Sequence, residues 1–204
     1  MDKITESQGR WAVLYARRCV ESTVKEDRTP AVPEDVDPEF EEERGVFVTL
    51  EKGGELRGCI GRPRSEQPAA RALREAAAGA AENDPRFPPV RPGELDEITV
   101  EVSILTPPSP LEDIDPADYP DAIRIGRDGL IVSRDGRSGL LLPKVPVEQG
   151  WSTTEFLAGT CRKAGLTPRA WQDEETTVER FQAQAFGETE PDGRIEPEGM
   201  VEAD

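Results

Sequence analysis

The amino-acid sequence predicts an α+β fold, with a largely antiparallel sheet and helices packed against it. Three observations lead to this prediction. Strand-like runs outnumber helical runs, several neighbouring runs are joined by short glycine turns typical of hairpins, and two helical runs begin with capping signals. At 204 residues the chain suits one domain, or two small lobes that share a core. The folded domain is expected to span residues 1–187.

The first predicted element is an amphipathic helix over residues 5–25. Thr5 and Gln8 have the spacing of a capping box, in which each side chain satisfies a backbone N–H group of the other residue. Apolar side chains recur at helical period along one face, so we interpret Cys19 as a small buried group. A solvated connector over residues 26–44, rich in proline and acidic residues, follows.

A hairpin and a second helix come next. Residues 45–50 are typical of a buried strand, Gly53-Gly54 supplies a tight turn, and Leu56–Gly61 forms the returning strand. Ser65 and Pro68 are predicted to start an alanine-rich helix that continues to about Asn83, and its small side chains allow close packing on the sheet. The proline-rich residues 84–89 then force an extended segment, because each proline removes a backbone donor.

The second half of the chain contains mostly strands. Its predicted elements are strands at 98–105, 122–125, 130–133 and 177–186, an apolar run at 139–143, and a helix from Ser152 to Gly165. Residues 98–105 alternate cleanly between apolar and polar side chains, and Ser152 and Glu155 have capping-box spacing. Residues 188–204 are rich in proline, glycine and glutamate, and we expect them to form a disordered acidic tail.

Composition restricts the location and the partners. The net charge is −17, with 20 arginines against 5 lysines. Such an acidic excess suits concentrated salt, so a halophilic archaeon is the expected source, with an acidic mesophilic protein as the alternative. The charge argues against nonspecific nucleic-acid binding by the whole surface, but it permits a local arginine-lined cleft. Because the chain has no membrane-spanning apolar run and no signal peptide, we expect a cytoplasmic protein without membrane contact.

The chain contains no histidine, the commonest general base and transition-metal ligand. Proton transfer would therefore use an acidic residue, Cys, Lys, Tyr or a bound cofactor. The three cysteines, Cys19, Cys59 and Cys161, lack metal-binding spacing, which argues against a zinc or iron–sulfur site. We predict free thiols, no metal and no cofactor.

Candidate chemistry centres on the hexamer Leu56-Arg57-Gly58-Cys59-Ile60-Gly61. On an extended backbone Arg57 and Cys59 share a face, so a permanent cation lies near a thiol and favours the thiolate. Cys59 is therefore a candidate nucleophile or covalent acceptor. The alternative is a buried, inert cysteine with Arg57 in a structural ion pair, for which Glu101 is a candidate partner. Gly58 indicates the close approach of another backbone or of a ligand.

A second candidate group is formed by Glu101 and Ser103, which leave the apolar side of their strand together. If that strand neighbours residues 56–61, the two side chains join the arginine and the cysteine in a small polar pocket. Glu101 would then be the base of that pocket. The alternative is an ordinary solvent-facing strand surface.

Asp84 and Arg86 lie on the proline-rich segment that follows the second helix. The rigid backbone suits the wall of a binding cleft. The alternative is a purely local structure, in which Asp84 caps nearby amides and Arg86 pairs with acids.

Several ordered blocks, taken together, resemble the AMMECR domain family over residues 5–187. Besides the hexamer, the blocks are Asp84-Pro85-Arg86-Phe87, Glu101-Val102-Ser103-Ile104-Leu105, Pro107-Pro108, Gly139-Leu140-Leu141-Leu142-Pro143, Glu148-Gln149-Gly150-Trp151 and Cys161-Arg162-Lys163-Ala164-Gly165-Leu166. The resemblance implies an α+β fold with two unequal lobes around a cleft, and it implies no settled activity. Family members often carry a histidine in the turn that here is Gly126-Arg127-Asp128-Gly129, so this chain argues against a shared role for that histidine.

The resemblance also implies partners, because family members are found beside, or fused to, Memo-family proteins and radical-SAM enzymes. It suggests a joint modification pathway that acts on RNA bases or another small aromatic group. On this hypothesis the chain is an enzyme or a substrate-handling subunit. The residues predicted for catalysis are Cys59, Arg57 and Glu101, and those predicted for binding are Asp84, Arg86 and Ser103. The alternative is a non-catalytic interaction module whose signature residues hold the fold and a partner-binding cleft.

Overall fold

The computed structural model describes residues 3–64, 66–112 and 114–198. Its helices and strands are, in chain order, α1 (Glu6–Glu26), β1 (Val46–Lys52), β2 (Glu55–Arg62), α2 (Ala69–Glu82), β3 (Ile98–Leu105), β4 (Ser109–Pro110), α3 (Tyr119–Ala122), β5 (Asp128–Arg134), β6 (Arg137–Leu141), α4 (Lys144–Gln149), α5 (Thr153–Lys163), β7 (Thr177–Glu188) and β8 (Ile195–Glu198). Short 3-10 helices lie at Pro38–Phe40, Pro92–Glu97, Pro116–Asp118 and Ala170–Gln172. Within the described residues, every helix is too short or too polar to cross a membrane.

The chain divides into two compact units, each with its own core. The first unit comprises Met1–Leu105 and Gln184–Glu198, and the second comprises Thr106–Ala183. Helices pack against strands in both units, and the strand pairs within each unit are antiparallel. The predicted α+β class, with a largely antiparallel sheet and helices packed against it, is confirmed.

In the first unit β1 lies between β2 and β3, and α1 and α2 cover one face of this sheet. The strand residues on the covered face are buried and apolar: Val46, Val48, Leu50, Ile98, Val100, Val102 and Ile104. The alternation of the sequence therefore produces one apolar face for the helices and one polar face.

Local signals position both helices of the first unit. The predicted capping box begins α1, with the Thr5 hydroxyl accepting the N–H of Gln8. α2 begins at Ala69, whereas Ser65, the predicted first residue of this helix, lies outside the described residues. The small side chains of α2 let the helix approach β2 so closely that a Cβ atom on Gly58 would lie 2.2 Å from the carbonyl oxygen of Ala80. Gly58 is thus required by the approach of a helix backbone, as predicted.

A buried ion pair ties α1 to the strands of the first unit. The Arg17 guanidinium donates to both carboxylate oxygens of Glu188, and both side chains are almost fully buried. The Glu188 carboxylate also accepts the N–H of Val100, at 3.0 Å, and Arg17 donates to the carbonyl of Ile98. These contacts compensate the desolvation of the two charges and fix the position of β3 beneath α1.

The second unit is built around β5, which pairs with β6 on one side and with the first half of β7 on the other. α5 packs against β5 and β6, and it begins with the predicted capping box of Ser152 and Glu155. The core contains the fully buried Phe156 and Leu157. The helix and strands predicted between residues 130 and 183 therefore form a helix layer packed on a strand layer.

Two segments of the second unit differ from the prediction. Residues 122–125 do not form a strand, because α3 ends at Ala122 and the N–H of Arg124 donates to the Asp128 carboxylate at 2.9 Å, closing a turn instead. The short helix α4 was not predicted from the sequence. It ends at Gly150, whose φ of 64° is the left-handed conformation that glycine adopts without strain.

Part of the predicted disordered tail, residues 195–198, forms the strand β8. β8 pairs with the end of β7, Ala185–Glu188, although its sequence is polar and includes Pro197. A proline is tolerated on an edge strand, and Ile195 supplies an apolar side chain that packs against the core. Residues 199–204 lie outside the described residues.

The approach of α2 to Gly58 gives the first testable prediction. Gly58→Ala should lower the free energy of unfolding by about 2 kcal/mol or more, because the new methyl group meets a helix carbonyl that belongs to backbone. Gly93→Ala is the matched control, since a Cβ atom there has no atom within 4 Å. Urea unfolding measures both. Equal stability of the two variants would contradict the close helix–strand approach.

Candidate functional site

The polar face of the sheet in the first unit carries the candidate site. Thr49 in β1 lies opposite Cys59 of β2 on one side and opposite Glu101 of β3 on the other. Opposed residues of neighbouring strands share a face, so these three side chains form a row. Ser103 lies one row further along, opposite Phe47. The condition for the predicted pocket, that β3 neighbours β2, is not met, because β1 lies between them.

Cys59 presents its thiol on this face and is partly exposed. The Thr49 hydroxyl donates to the sulfur at an Oγ1–Sγ distance of 3.4 Å. Cys59 also lies on an edge strand, and its backbone groups point away from β1. Its N–H donates to the Asp84 carboxylate at 2.8 Å, and its carbonyl accepts from the Arg86 guanidinium at 3.3 Å.

Asp84 is the buried anchor of this arrangement, with 4% of its surface exposed. Besides the N–H of Cys59, its carboxylate accepts the backbone N–H of Arg86 at 3.0 Å and the guanidinium of Arg86 at 2.7 and 2.9 Å. The hydrogen bonds from Arg86 hold the pKa of Asp84 far below its usual range. This geometry matches the alternative predicted for this segment, in which Asp84 caps nearby amides and pairs with Arg86 instead of lining a cleft. The Asp84 carboxylate also binds the N–H of Cys59 in β2, a contact that was not predicted.

Arg86 is the cation beside Cys59. Its side chain is half exposed, and its guanidinium also stands over the ring of Phe87, 5.5 Å from the ring centroid. The pKa of Arg86 is raised, mainly by its hydrogen bond to Asp84, and the neighbouring Cys59 side chain raises it further. The cation beside Cys59 was predicted to be Arg57, but the guanidinium that contacts Cys59 belongs to Arg86, 27 positions further along the chain.

Arg57 contacts groups other than the predicted thiol. A β-bulge at Leu50 and Glu51 leaves Arg57 without an opposite residue in β1, so the simple alternation with Cys59 is broken. The Arg57 guanidinium donates to both oxygens of Glu94, at 3.0 and 3.1 Å. It also donates to the carbonyls of Pro88 and Pro89, and only 12% of its side chain is exposed.

These contacts make Arg57 a structural link between β2 and residues 88–94. The ion pair foreseen as the alternative exists, but its partner is Glu94 and not Glu101. The hydrogen bonds from Arg57 lower the pKa of Glu94 to about 2. Arg57 also lines an open pocket of about 420 Å³ at the β1–β2 turn, and the lining of that pocket does not include Cys59.

Glu101 and Ser103 are both buried, with 6% and 3% of their surfaces exposed. The Ser103 hydroxyl donates to the Glu101 carboxylate over a long contact of 3.4 Å. The alternative of an ordinary solvent-facing surface is therefore wrong for these two residues. Their burial gives the polar face an acidic group one strand away from the Thr49 hydroxyl.

The other two thiols differ sharply from Cys59. Cys19 and Cys161 are fully buried in the cores of the first and second units. Burial raises the pKa of the Cys19 thiol to about 11 and also raises the pKa of Cys161. In the part of the chain that the structure describes, no cluster of three His, Cys, Asp or Glu side chains has the arrangement of a metal site.

Two residues of the site were not found from the sequence. Thr49 is the one hydroxyl in the otherwise apolar run of residues 45–50, and its position was a usable signal for a residue on the polar face. Glu94 carried no signal, because its contact with Arg57 depends on how the segment after α2 folds back over β2.

Fold and site together define an α+β protein whose partly exposed cysteine lies on a sheet edge that an Asp–Arg pair covers. The comparisons identify the family. A sequence model of the family described as AMMECR1 matches residues 13–186. The chain belongs to the AMMECR1 family.

Archaeal relatives match nearly the whole chain. A protein of Methanothermobacter thermautotrophicus is 55% identical over 185 residues, which are 91% of this chain and 96% of the relative. A protein of Thermococcus gammatolerans is 50% identical over 98% of this chain and 100% of its own length. The crystal structure of an uncharacterized protein from Pyrococcus horikoshii superposes with a TM-score of 0.92 at 47% identity, covering 97% of this chain and 99% of that chain.

The Arg57–Glu94 pair predicts how stability depends on pH. The folded-state pKa of Glu94 is depressed from 4.5 to about 2, so the pair stabilises the fold above pH 4.5 and this contribution disappears as the pH falls towards 2. Glu94→Gln should therefore be less stable than the wild type near neutral pH, and the difference should shrink between pH 4.5 and 2. Chemical unfolding of both proteins at several pH values measures this difference in the free energy of unfolding.

Glu97→Gln is the control, because it removes an exposed carboxylate beside the same lysine, Lys52. Glu97→Gln should change the free energy of unfolding only slightly at every pH measured. A difference between wild type and Glu94→Gln that stays constant down to pH 2 would contradict the proposed pairing.

Proposed function

We propose that this AMMECR1-family protein is an enzyme or a substrate-handling subunit whose reactive group is the thiol of Cys59. The observation that carries the proposal is the environment of Cys59: the residue is partly exposed, its sulfur accepts a hydrogen bond from Thr49, and the Arg86 guanidinium donates to its carbonyl. The thiolate is the nucleophilic form of cysteine, and a hydroxyl donor and a neighbouring cation are the kinds of group that stabilise such an anion.

Each residue of the site has a separate task under this proposal. The Cys59 thiol loses its proton to water, and the thiolate adds to one end of a C=C or C=N bond of the aromatic substrate. The carbon–sulfur bond forms as the π bond breaks, and the electron pair of that π bond takes a proton from water at the other end. Thr49 and Arg86 stabilise the sulfur anion. Asp84 is a positioning residue, because it holds Arg86 and the backbone of β2. Arg57, the residue first expected beside the thiol, keeps the strand in place.

The substrate and the partners come from the family resemblance. We propose an RNA base or another small aromatic group as the substrate, modified together with Memo-family and radical-SAM proteins in the cytoplasm. Glu101 remains our candidate base and Ser103 our candidate binding residue, both reached through Thr49 on the same face. An aromatic ring would suit this face, where Phe47 lies opposite Ser103.

A second candidate function is a non-catalytic interaction module. It is favoured by one specific observation: Arg57, Asp84 and Arg86 are all engaged in holding β2 to the segment that follows α2. If the signature residues serve this purpose alone, the cysteine has no chemical task. The two candidates therefore differ in whether the sulfur is activated.

Thiol alkylation tests the activation. In the native protein Cys59 should be the site of iodoacetamide labelling, with Cys19 and Cys161 unlabelled because they are buried. At pH 7, Arg86→Gln should slow labelling about threefold to tenfold, and Thr49→Val should slow it about twofold to fivefold. Arg57→Gln is the matched control and should leave the rate within twofold. Mass spectrometry of the labelled peptides measures these rates.

The outcomes of this experiment separate the hypotheses. An unreactive Cys59 would contradict the proposal, and so would equal rates in the wild type, Arg86→Gln and Thr49→Val. A rate that falls in Arg57→Gln but not in Arg86→Gln would restore the original assignment of the cation. Circular dichroism of each variant confirms that a slow rate does not reflect a changed fold.

Replacement of Cys59 in the source cell distinguishes an enzyme from an interaction module. The Cys59→Ser strain should show the metabolite and RNA-modification profile of the deletion strain, while the tagged protein still copurifies the partners recovered with the wild type. Cys161→Ala, which removes a buried thiol, is the control and should resemble the wild type. A wild-type profile in the Cys59→Ser strain would support the module and contradict the enzyme.

A further inference from the structure

A pocket of about 540 Å³ lies beside α1 and α2 in the first unit. Its lining residues are Arg18, Arg28, Thr29, Pro30, Ala31, Pro33 and Arg74. All three charged residues in the lining are arginines, although the chain as a whole carries a net charge of −17. A cluster of positive charges on a protein whose net charge is negative favours the binding of a negatively charged ligand at that cluster.

Arg74 is held in a fixed orientation within this pocket. Its Nε donates to the carbonyl of Pro30 at 2.7 Å, and one Nη donates to the carbonyl of Thr29 at 2.9 Å. Carbonyl groups orient a guanidinium without adding an opposite formal charge, whereas a carboxylate would offset part of its field. Arg74 therefore keeps its full charge and one remaining Nη group for a ligand.

Arg18 and Arg28 add two further charges. Among the described residues, Arg18 has no hydrogen-bond or ion-pair partner. Arg28 contacts Glu26 at 3.4 Å, but both side chains are more than half exposed, and such pairs contribute little. Both guanidinium groups are therefore available to a ligand.

The positive charge of this pocket extends to the core of the unit. Burial raises the pKa of Cys19, and the charges of Arg74 and Arg18 act on this thiol in the opposite direction. Arg18 lies on α1 and Arg74 lies on α2, so the two charges converge from different helices. Convergence from separate elements is the arrangement of a binding site rather than of a solvated helix face.

Apart from Thr29, the rest of the lining is apolar. Pro30, Ala31 and Pro33 form one wall, and the prolines restrict the backbone of the connector between α1 and β1. The carbonyl contacts of Arg74 fasten this connector to α2. The pocket thus combines a cationic floor with an apolar wall that can contact the organic part of a ligand.

We propose that this pocket binds the phosphate group of a small phosphorylated molecule. Arg18 and Arg74 contact the phosphate oxygens, Arg28 lies at the edge, and the organic part of the ligand rests against Pro30 and Pro33. Guanidinium forks match phosphate oxygens geometrically, and three positive charges suit a dianion better than a single carboxylate. The pocket uses none of the residues around Cys59, so this binding is independent of the function proposed above.

Calorimetric titration with inorganic pyrophosphate tests the proposal, with sodium chloride at matched ionic strength as the blank. The wild type should bind pyrophosphate, and Arg18→Gln should weaken the binding at least about fivefold, because it removes an arginine without a protein partner. Arg10→Gln is the matched control: it removes the same charge from an exposed position of α1 outside the pocket, and its Kd should stay within about twofold of the wild type.

Arg28→Gln and a second anion complete the experiment. Arg28→Gln should weaken pyrophosphate binding less than Arg18→Gln, because Arg28 lies at the edge. Citrate, which carries carboxylates in place of phosphate, should bind more weakly than pyrophosphate. The proposal is overturned by absent pyrophosphate binding, by equal loss of affinity in Arg10→Gln and Arg18→Gln, or by a preference for citrate. Unchanged thermal unfolding of Arg18→Gln without ligand shows that its fold is intact.

Discussion

One buried carboxylate, that of Asp84, holds the region around Cys59 together. It accepts the N–H of an edge strand and three N–H groups of Arg86, so the cost of burying its charge is offset by four hydrogen bonds. Arg86 then covers the carbonyl of Cys59. The backbone groups that an edge strand leaves unpaired are thereby satisfied, and this point of the edge is closed to pairing with another chain.

The hexamer around Cys59 has two faces with separate structural demands. Gly58 faces α2, where the carbonyl of Ala80 leaves no space for a Cβ atom, and Ile60 packs against Gly79 of the same helix. On the other face, a Cβ atom on Gly61 would collide with the ring of Phe47. The two glycines are thus explained by close packing on opposite faces of β2, and the sulfur lies between them on the polar side.

Sequence patterns predicted what depends on local interactions. The two capping boxes, the hairpin turn and the apolar alternation of β3 each involve residues a few positions apart, and the structure contains all of them. Of the site, alternation predicted that Cys59 and Glu101 lie on polar faces. It could not predict the bulge that displaces Arg57, the insertion of β1 between β2 and β3, or the return of Arg86 to the thiol. These depend on strand order and on contacts between distant residues.

The fold explains most signature residues but not the sulfur atom of Cys59. The hydrogen bonds from this residue to Asp84 and from Arg86 to this residue use its backbone N–H and carbonyl, which every non-proline residue possesses. The Thr49 hydroxyl would donate equally well to a serine oxygen, and the side chain is too exposed to be needed as core. What sulfur adds at this position is its lower pKa and greater nucleophilicity compared with a hydroxyl. Structural need alone therefore accounts for Arg57, Gly58 and Asp84, whereas it leaves the identity of residue 59 unexplained, and this is the residue on which the proposed chemistry depends.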